Sequence, residues 1–326
     1  MKKILFITCS RIGDAVLTTG ILDYIQRHIP SAGVTIAVDP LPAPLFRDYP
    51  LLDNLIIFAK QKRSRHWLTL WKQVKGQHWD WVIDLRGSVI SYALRCGRRS
   101  VWHQKENDQR HKVEQISSLA GIPTTSPALW FSQQRLEVAK TLLTEETFHL
   151  AMAPAANWVG KQWPIERFTQ TAQQFCQAYP NAKIVLIAAP HERQVVQSLV
   201  ESLPASQLIN LIDRDYDLGQ TAACLQRCQL FLGNDSGLMH MSAAVGTPTI
   251  GLFGPSREEN YGPYNGHFSE TGKKANTVIR IPQTYDQLKS TPGFSHQSQD
   301  CYMMGLTVDA VWQVLKQQSE QIYPSK

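Results

Sequence analysis

Short apolar runs rich in β-branched residues alternate with segments of helical spacing along most of the chain, and no other feature narrows the fold as much. Lys3-Ile-Leu-Phe-Ile-Thr8 runs into a polar turn and then into Ala15, Val16, Ile21, Leu22 and Ile25, which predicts strand, loop, helix. Residues 34–38, 55–58 and 81–85 continue the series as strands. Between Arg86 and Leu129 the pattern weakens, and a short polar helix at 133–144 leads to a new strand at 149–153. From there the plan repeats: strands at 183–188, 208–211, 229–232 and 249–253 are separated by helices at 165–178, 191–202, 218–227 and 237–245. A polar region follows, and an amphipathic helix at 308–318 closes the chain. Alternation of this kind specifies parallel sheets covered by helices. The expectation is an α/β chain of two Rossmann-like domains, with a ligand cleft at the carboxyl ends of their strands. The boundary is expected between 148 and 149.

Composition agrees with that plan. At 326 residues, 43% hydrophobic and 18% charged, the chain can bury two cores, which excludes disordered, collagenous and coiled-coil classes. A net charge of +6 favours an anionic partner. Nucleic acid is not expected, because the basic residues are not set in any helix-turn-helix, zinc or RNA-binding signature. The six cysteines are scattered without a C-x-x-C pair, which reads as reduced thiols in a cytoplasmic protein. Arg11 and Asp14 interrupt the opening apolar run before it could serve as a leader, and no stretch approaches the ~20 apolar residues of a membrane span.

Four turns could carry chemistry. Ser10-Arg-Ile-Gly-Asp14 follows the first strand, with Gly13 permitting close backbone approach and Asp14 suited either to capping the helix or to general-base work. Pro154-Ala-Ala-Asn-Trp-Val-Gly-Lys161 follows the first strand of the second half; its amides could meet an anion and Lys161 add charge, or the lysine could simply be solvated. Asn234-Asp-Ser-Gly-Leu-Met-His240 runs from a strand into a helix whose first amides would face a phosphate. Asp235 would repel such an anion, so it should cap the helix or accept hydrogen bonds from sugar hydroxyls, while His240 could face cleft or core. Asp213-Arg-Asp215 has the D-x-D spacing of some metal-dependent sugar transferases, but no further carboxylate or histidine joins it, so neither a metal nor another cofactor is expected. Lys60, Lys62, Arg63, Arg65 and His66 form a basic run beside Trp67 and Trp71, suited to an anionic acceptor, a membrane surface, or solvent alone.

Together these stretches resemble the family 9 glycosyltransferases, the group of the ADP-heptose:lipopolysaccharide heptosyltransferases. The resemblance is carried by Arg11-Ile-Gly-Asp14, Trp81-Val-Ile-Asp-Leu-Arg-Gly87, the 154–164 turn with Lys161-Gln-Trp-Pro, Ala189-Pro-His-Glu192, Asn234 to His240, and Leu252-Phe-Gly-Pro-Ser256. It implies a GT-B fold: an acceptor domain over 1–148, a nucleotide-sugar domain over 149–305, and a helix within 306–326 packing back on the first. It implies inverting, metal-independent heptosyl transfer from ADP-heptose to an inner-core Kdo or heptose, with Asp14 as base. Lys161 becomes a contact to the donor diphosphate and Glu192 a contact to ribose or adenosine. The donor cradle adds Ala155, Ala156, Asn157, Tyr216, Asp235, Ser236, Gly237 and His240. Arg11, Gly13, Lys62, Arg63 and Arg65 fall on the acceptor side, together with a peripheral contact to the cytoplasmic face of the inner membrane. The family carries Pro-Gly where this chain has Pro154-Ala155, and the 94–129 segment is short. The alternatives are the same site with another donor or acceptor, and a non-catalytic protein that binds sugar nucleotides or glycans.

Overall fold

The computed structural model describes residues 1–103, 109–266, 276–296 and 298–323, apart from the side chain of Arg63. It divides into two compact units, one of residues 1–134 with 217–219 and one of residues 135–216 with 220–326. The division therefore falls earlier than 148/149, and α4 (Gln133–Leu142) belongs almost wholly to the second unit.

The first unit is built on a parallel sheet of β1 (Lys3–Ile7), β2 (Gly33–Val38), β3 (Leu52–Ile57), β4 (Trp79–Asp84) and β5 (Cys96–Val101), in the order β3-β2-β1-β4-β5. Every residue of β2 is buried and so are Ile4 to Ile7, as expected of central parallel strands covered on both faces. α1 (Ile12–His28) follows β1, α2 (Arg65–Val74) lies between β3 and β4, and α3 (Lys112–Ala120) follows β5. Leu70 and Val74 of α2 join Leu5, Ile7, Ile56, Val82 and Trp79 in one buried cluster.

β5 and α3 occupy the stretch where the sequence pattern fades. Arg98 and Arg99 stand in the middle of the strand, where a buried strand would carry apolar residues. The strand sits at the sheet edge, and each arginine finds a local surface: Arg98 lies over the Trp81 ring at 4.1 Å, and Arg99 donates from Nε to the Ser91 carbonyl at 2.8 Å. Charge on an edge strand also discourages pairing with another chain.

The second unit repeats the order with one more strand: β6 (His149–Ala153), β7 (Lys183–Leu186), β8 (Leu208–Asn210), β9 (Leu230–Asn234), β10 (Thr249–Phe253) and β11 (Thr277–Arg280) lie as β11-β10-β9-β6-β7-β8, all parallel. α5 (Ile165–Ala178), α6 (Arg193–Ser202), α7 (Leu218–Arg227) and α8 (Gly237–Ala244) alternate with the strands, followed by α9 (Glu258–Tyr261) and α10 (Tyr285–Lys289). The edge strand β11 falls in the stretch read from sequence as merely polar.

The final helix is α11 (Val308–Ile322). Val311 and Leu315 are fully buried in the second unit's own core with Phe148, Phe168 and Phe175, and α11 packs on α5. Its apolar face is satisfied there, within the second unit.

In both sheets the strand order reverses beside the first strand of the unit, between β1 and β4 and between β6 and β9. Ligands of open α/β sheets bind beyond the strand ends at such reversals.

Candidate functional site

In the first unit, Ile7 at the end of β1 pairs with Asp84 at the end of β4. Thr8 carries the chain beyond the sheet, its amide bonded to the Ala37 carbonyl at 3.0 Å and its hydroxyl 2.9 Å from that of Thr18. The turn is thereby tied to α1 before the helix begins. Arg11, exposed and extended, is the N-cap of α1 and makes no side-chain cap. Gly13 and Asp14 lie half-buried in the first helical turn, so Asp14 is not the capping residue; the helix dipole still favours a carboxylate there.

Several charges converge on this turn. Burial, with the charge of Asp14, pushes the Cys9 thiol up to about 12, while Lys112 and Arg86 pull it down. Asp84 is fully buried, and its carboxylate accepts hydrogen bonds from the amides of Arg86 (2.9 Å) and Ser88 (2.8 Å) and from the hydroxyls of Ser88 and Ser91. Arg86 then reaches from β4 to Asp39, just past β2, with Nη1 2.6 Å from the carboxylate. Its guanidinium lies over the rings of Phe58 (5.1 Å) and Trp67 (4.8 Å). One side chain thus ties together the ends of β2, β3 and β4 and the start of α2.

His66 completes this cluster. It is 3% exposed, its Nδ1 accepts from the Gln61 amide at 3.3 Å, and its Nε2 is buried without a hydrogen-bond partner. Burial, reinforced by Arg86, lowers its pKa and keeps the ring neutral. Lys62 and Arg65 of the basic run are exposed at the start of α2; Arg63 lies outside the described side chains.

In the second unit, Ala153 at the end of β6 pairs with Gly233 near the end of β9. Beyond them Asn234 locks the two turns together. Its Nδ2 donates to the Pro154 carbonyl at 2.7 Å, and its Oδ1 accepts from the Trp163 amide at 3.0 Å. Ala155 and Ala156 are buried, Asn157 is exposed, and a single 3-10 turn (Val159–Lys161) presents Lys161.

The Lys161 ammonium is ion-paired with the Asp235 carboxylate, which also accepts from the Ser256 hydroxyl at 2.7 Å. Asp235 is 5% exposed, so its charge is held in the protein by these two donors. It does not cap α8: the N-cap is Ser236, which makes no side-chain cap and whose hydroxyl is buried without a partner. Gly237 opens α8, and His240 is buried one turn further on.

The remaining expected residues fall elsewhere in the unit. Glu192 folds back on its own turn, with Oε2 accepting from the Ala189 amide at 2.8 Å. Tyr216 lies under the Arg214 guanidinium at 5.9 Å. Asp213 is ion-paired with Arg193 and accepts from Asn210 at 2.7 Å. Among the described residues no group of three His, Cys, Asp or Glu side chains is placed to hold a metal. Among them, too, no helix is long and apolar enough to cross a membrane.

Sequence reading assigned no part to Asp39, Arg86 or Ser256. Arg86 and Ser256 stood inside quoted motifs, but their partners lie far off in the chain and only the strand order brings them together.

Comparison with known proteins bears on the fold and the family. A family model described as "Glycosyltransferase family 9 (heptosyltransferase)" matches residues 99–280, more than half of the chain. The chain is 23% identical over 291 residues to the lipopolysaccharide core heptosyltransferase OpsX of Haemophilus influenzae, covering 81% of this chain and 82% of that protein. A crystal structure of a family 9 glycosyltransferase from Veillonella parvula superposes with a TM-score of 0.78 at 21% identity, covering 98% of each chain. The E. coli heptosyltransferase WaaC, solved with ADP, superposes at 0.72 with 18% identity, covering 97% of this chain and 99% of that one. Two Rossmann-like units in the GT-B manner, matched at family level over most of the second, place this chain in glycosyltransferase family 9, among the lipopolysaccharide heptosyltransferase-like proteins.

Proposed function

We propose that this chain is an inverting transferase that moves heptose from ADP-heptose to a Kdo or heptose of the lipopolysaccharide inner core. The observation that carries the donor side is the buried Asp235 carboxylate clamped between Lys161 and Ser256 at the strand reversal of the second sheet. A cation beside the free amides of a helix start suits a diphosphate, and a carboxylate beside it suits sugar hydroxyls. The similar WaaC was solved with ADP, which supports a nucleotide-sugar donor.

Asp14, at the reversal of the first sheet, takes the proton of an acceptor hydroxyl. That oxygen forms a bond to the anomeric carbon of the donor as the bond from this carbon to the diphosphate oxygen breaks, and ADP leaves with the electron pair. A single displacement inverts the anomeric centre. Lys161 and the amides at Ser236 and Gly237 stabilise the charge growing on the leaving group, which makes a divalent metal unnecessary. Lys62, Arg63 and Arg65, with Arg11 and Gly13, receive the acidic acceptor, and the exposed Lys62 and Arg65 beside Trp67 and Trp71 suit contact with an anionic membrane surface.

Transfer assayed over a panel of ADP-, GDP- and UDP-sugars, with and without EDTA, tests the reading. ADP-heptose should be preferred by at least tenfold in kcat/KM and EDTA should leave the rate unchanged. A preferred UDP-sugar, or activity lost on chelation and restored by magnesium, would overturn it.

A further inference from the structure

Lys161 is a flexible side chain on a three-residue turn, with little in that turn to hold its amine in one place. The structure supplies the support from a distant segment that sequence reading left as polar linker. The Gly160 carbonyl accepts from the Tyr302 amide at 3.2 Å, and the Gln162 carbonyl accepts from the Cys301 thiol at 3.2 Å. Both peptide neighbours of Lys161 are therefore held by consecutive residues of one segment. The Met303 amide donates to the Cys301 sulfur at 3.4 Å, which fixes the thiol's orientation.

The same segment also reaches the other side of the Lys161–Asp235–Ser256 cluster. Met303 is fully buried, and a Cβ built at Gly254, two residues before Ser256, would press against its sulfur. Trp158 donates from its indole to the Ser298 carbonyl at 3.0 Å, and its ring packs on those of Tyr302 (5.8 Å) and His296 (5.0 Å). At Gly160 a Cβ would fall 2.5 Å from the Trp158 ring and 2.8 Å from that of Tyr302, so only glycine lets the aromatic pair close over the turn.

We infer that Cys301–Tyr302–Met303 is a clasp that positions Lys161 for the donor diphosphate, with Gly160 as the residue the clasp requires. The inference rests on the reading of Lys161 as a diphosphate contact. These are positioning residues: none supplies charge, and their effect on turnover runs through where Lys161 stands.

A double-mutant cycle tests it. Gly160→Ala, Cys301→Ala and Cys301→Ser are each made in the parent and in a Lys161→Ala background, and kcat, KM for both substrates, ADP affinity by calorimetry and Tm are measured. In the parent, Gly160→Ala and Cys301→Ala should each lower kcat ~10-fold and weaken ADP binding with acceptor KM unchanged, and Cys301→Ser, which keeps a donor, should recover most of the rate. In the Lys161→Ala background the same substitutions should change kcat by less than about twofold. Full effects persisting in that background, or a Cys301→Ala variant with parental kcat and ADP affinity, would overturn the clasp; the Cys301 pair decides the matter if Gly160→Ala fails to fold. Lys161→Ala with parental kcat and ADP affinity would instead remove the reading of Lys161, and the clasp with it.

Discussion

A buried carboxylate in an anion site looks unfavourable until its partners are known. Asp235 is held by Lys161 and Ser256, so the cluster is nearly neutral, and the proposed donor diphosphate would draw on the lysine. From sequence, Asp14, Lys161 and Asp235 stand out because each follows a recognisable strand. Asp39 and Arg86 were not: they lie 47 positions apart and meet only because β2 and β4 flank β1. Of the two readings open for Asp235, capping does not hold, and the carboxylate of Glu192 is occupied by its own turn, because short-range rules do not see a lysine 74 positions away or a back-folded side chain. Another residue carries a stability prediction. His149 is 1% exposed at the start of β6, and burial, with Lys183 and Arg227 nearby, lowers its pKa to about 4. The folded protein thus keeps the ring neutral where the unfolded chain takes up a proton. Stability is full above the ordinary value near 6.5 and falls as pH drops toward 4, by about 3 kcal/mol over that window. Urea unfolding at pH 7.5 and 5 should show about 2 kcal/mol of this loss in the parent and a smaller one in His149→Asn; equal losses would contradict it.

At the scale of elements, hydrophobic periodicity located the central strands because parallel strands buried on both faces are mostly apolar, as β1, β2, β6 and β9 are apart from Lys3, Thr35, His149 and Asn234. Of the four edge strands, β5 and β11 escaped notice for the same reason in reverse. β5 carries two arginines and β11 is only half-buried, so neither needs a continuous apolar run. The basic run 60–66 leads into α2, which Leu70 and Val74 anchor on the sheet while Lys62, just before it, and Arg65, its first residue, remain exposed. That arrangement makes a separable prediction. Replacing Lys62 and Arg65 with Ala should raise the acceptor KM about tenfold and leave donor KM and Tm nearly unchanged. Equal rises in both KM values would show that the helix start serves no particular substrate.

At the scale of the whole molecule, the chain uses one topology twice, and each unit offers its candidate residues beyond the strand ends where its sheet reverses order. The final helix belongs to the second of these units by virtue of Val311 and Leu315, a matter of which apolar face meets which core, and helical periodicity alone does not say which. The division of labour proposed for the units, acceptor activation by the first and donor binding by the second, depends most on Asp14. Since Asp14 is not the N-cap of α1, Asp14→Asn removes the ability to take a proton at little cost to the helix. Measured on one preparation, this variant should lose 10²- to 10⁴-fold in kcat while Tm and ADP affinity stay close to the parent. A well-folded Asp14→Asn protein that binds ADP and turns over near the parental rate would contradict the account.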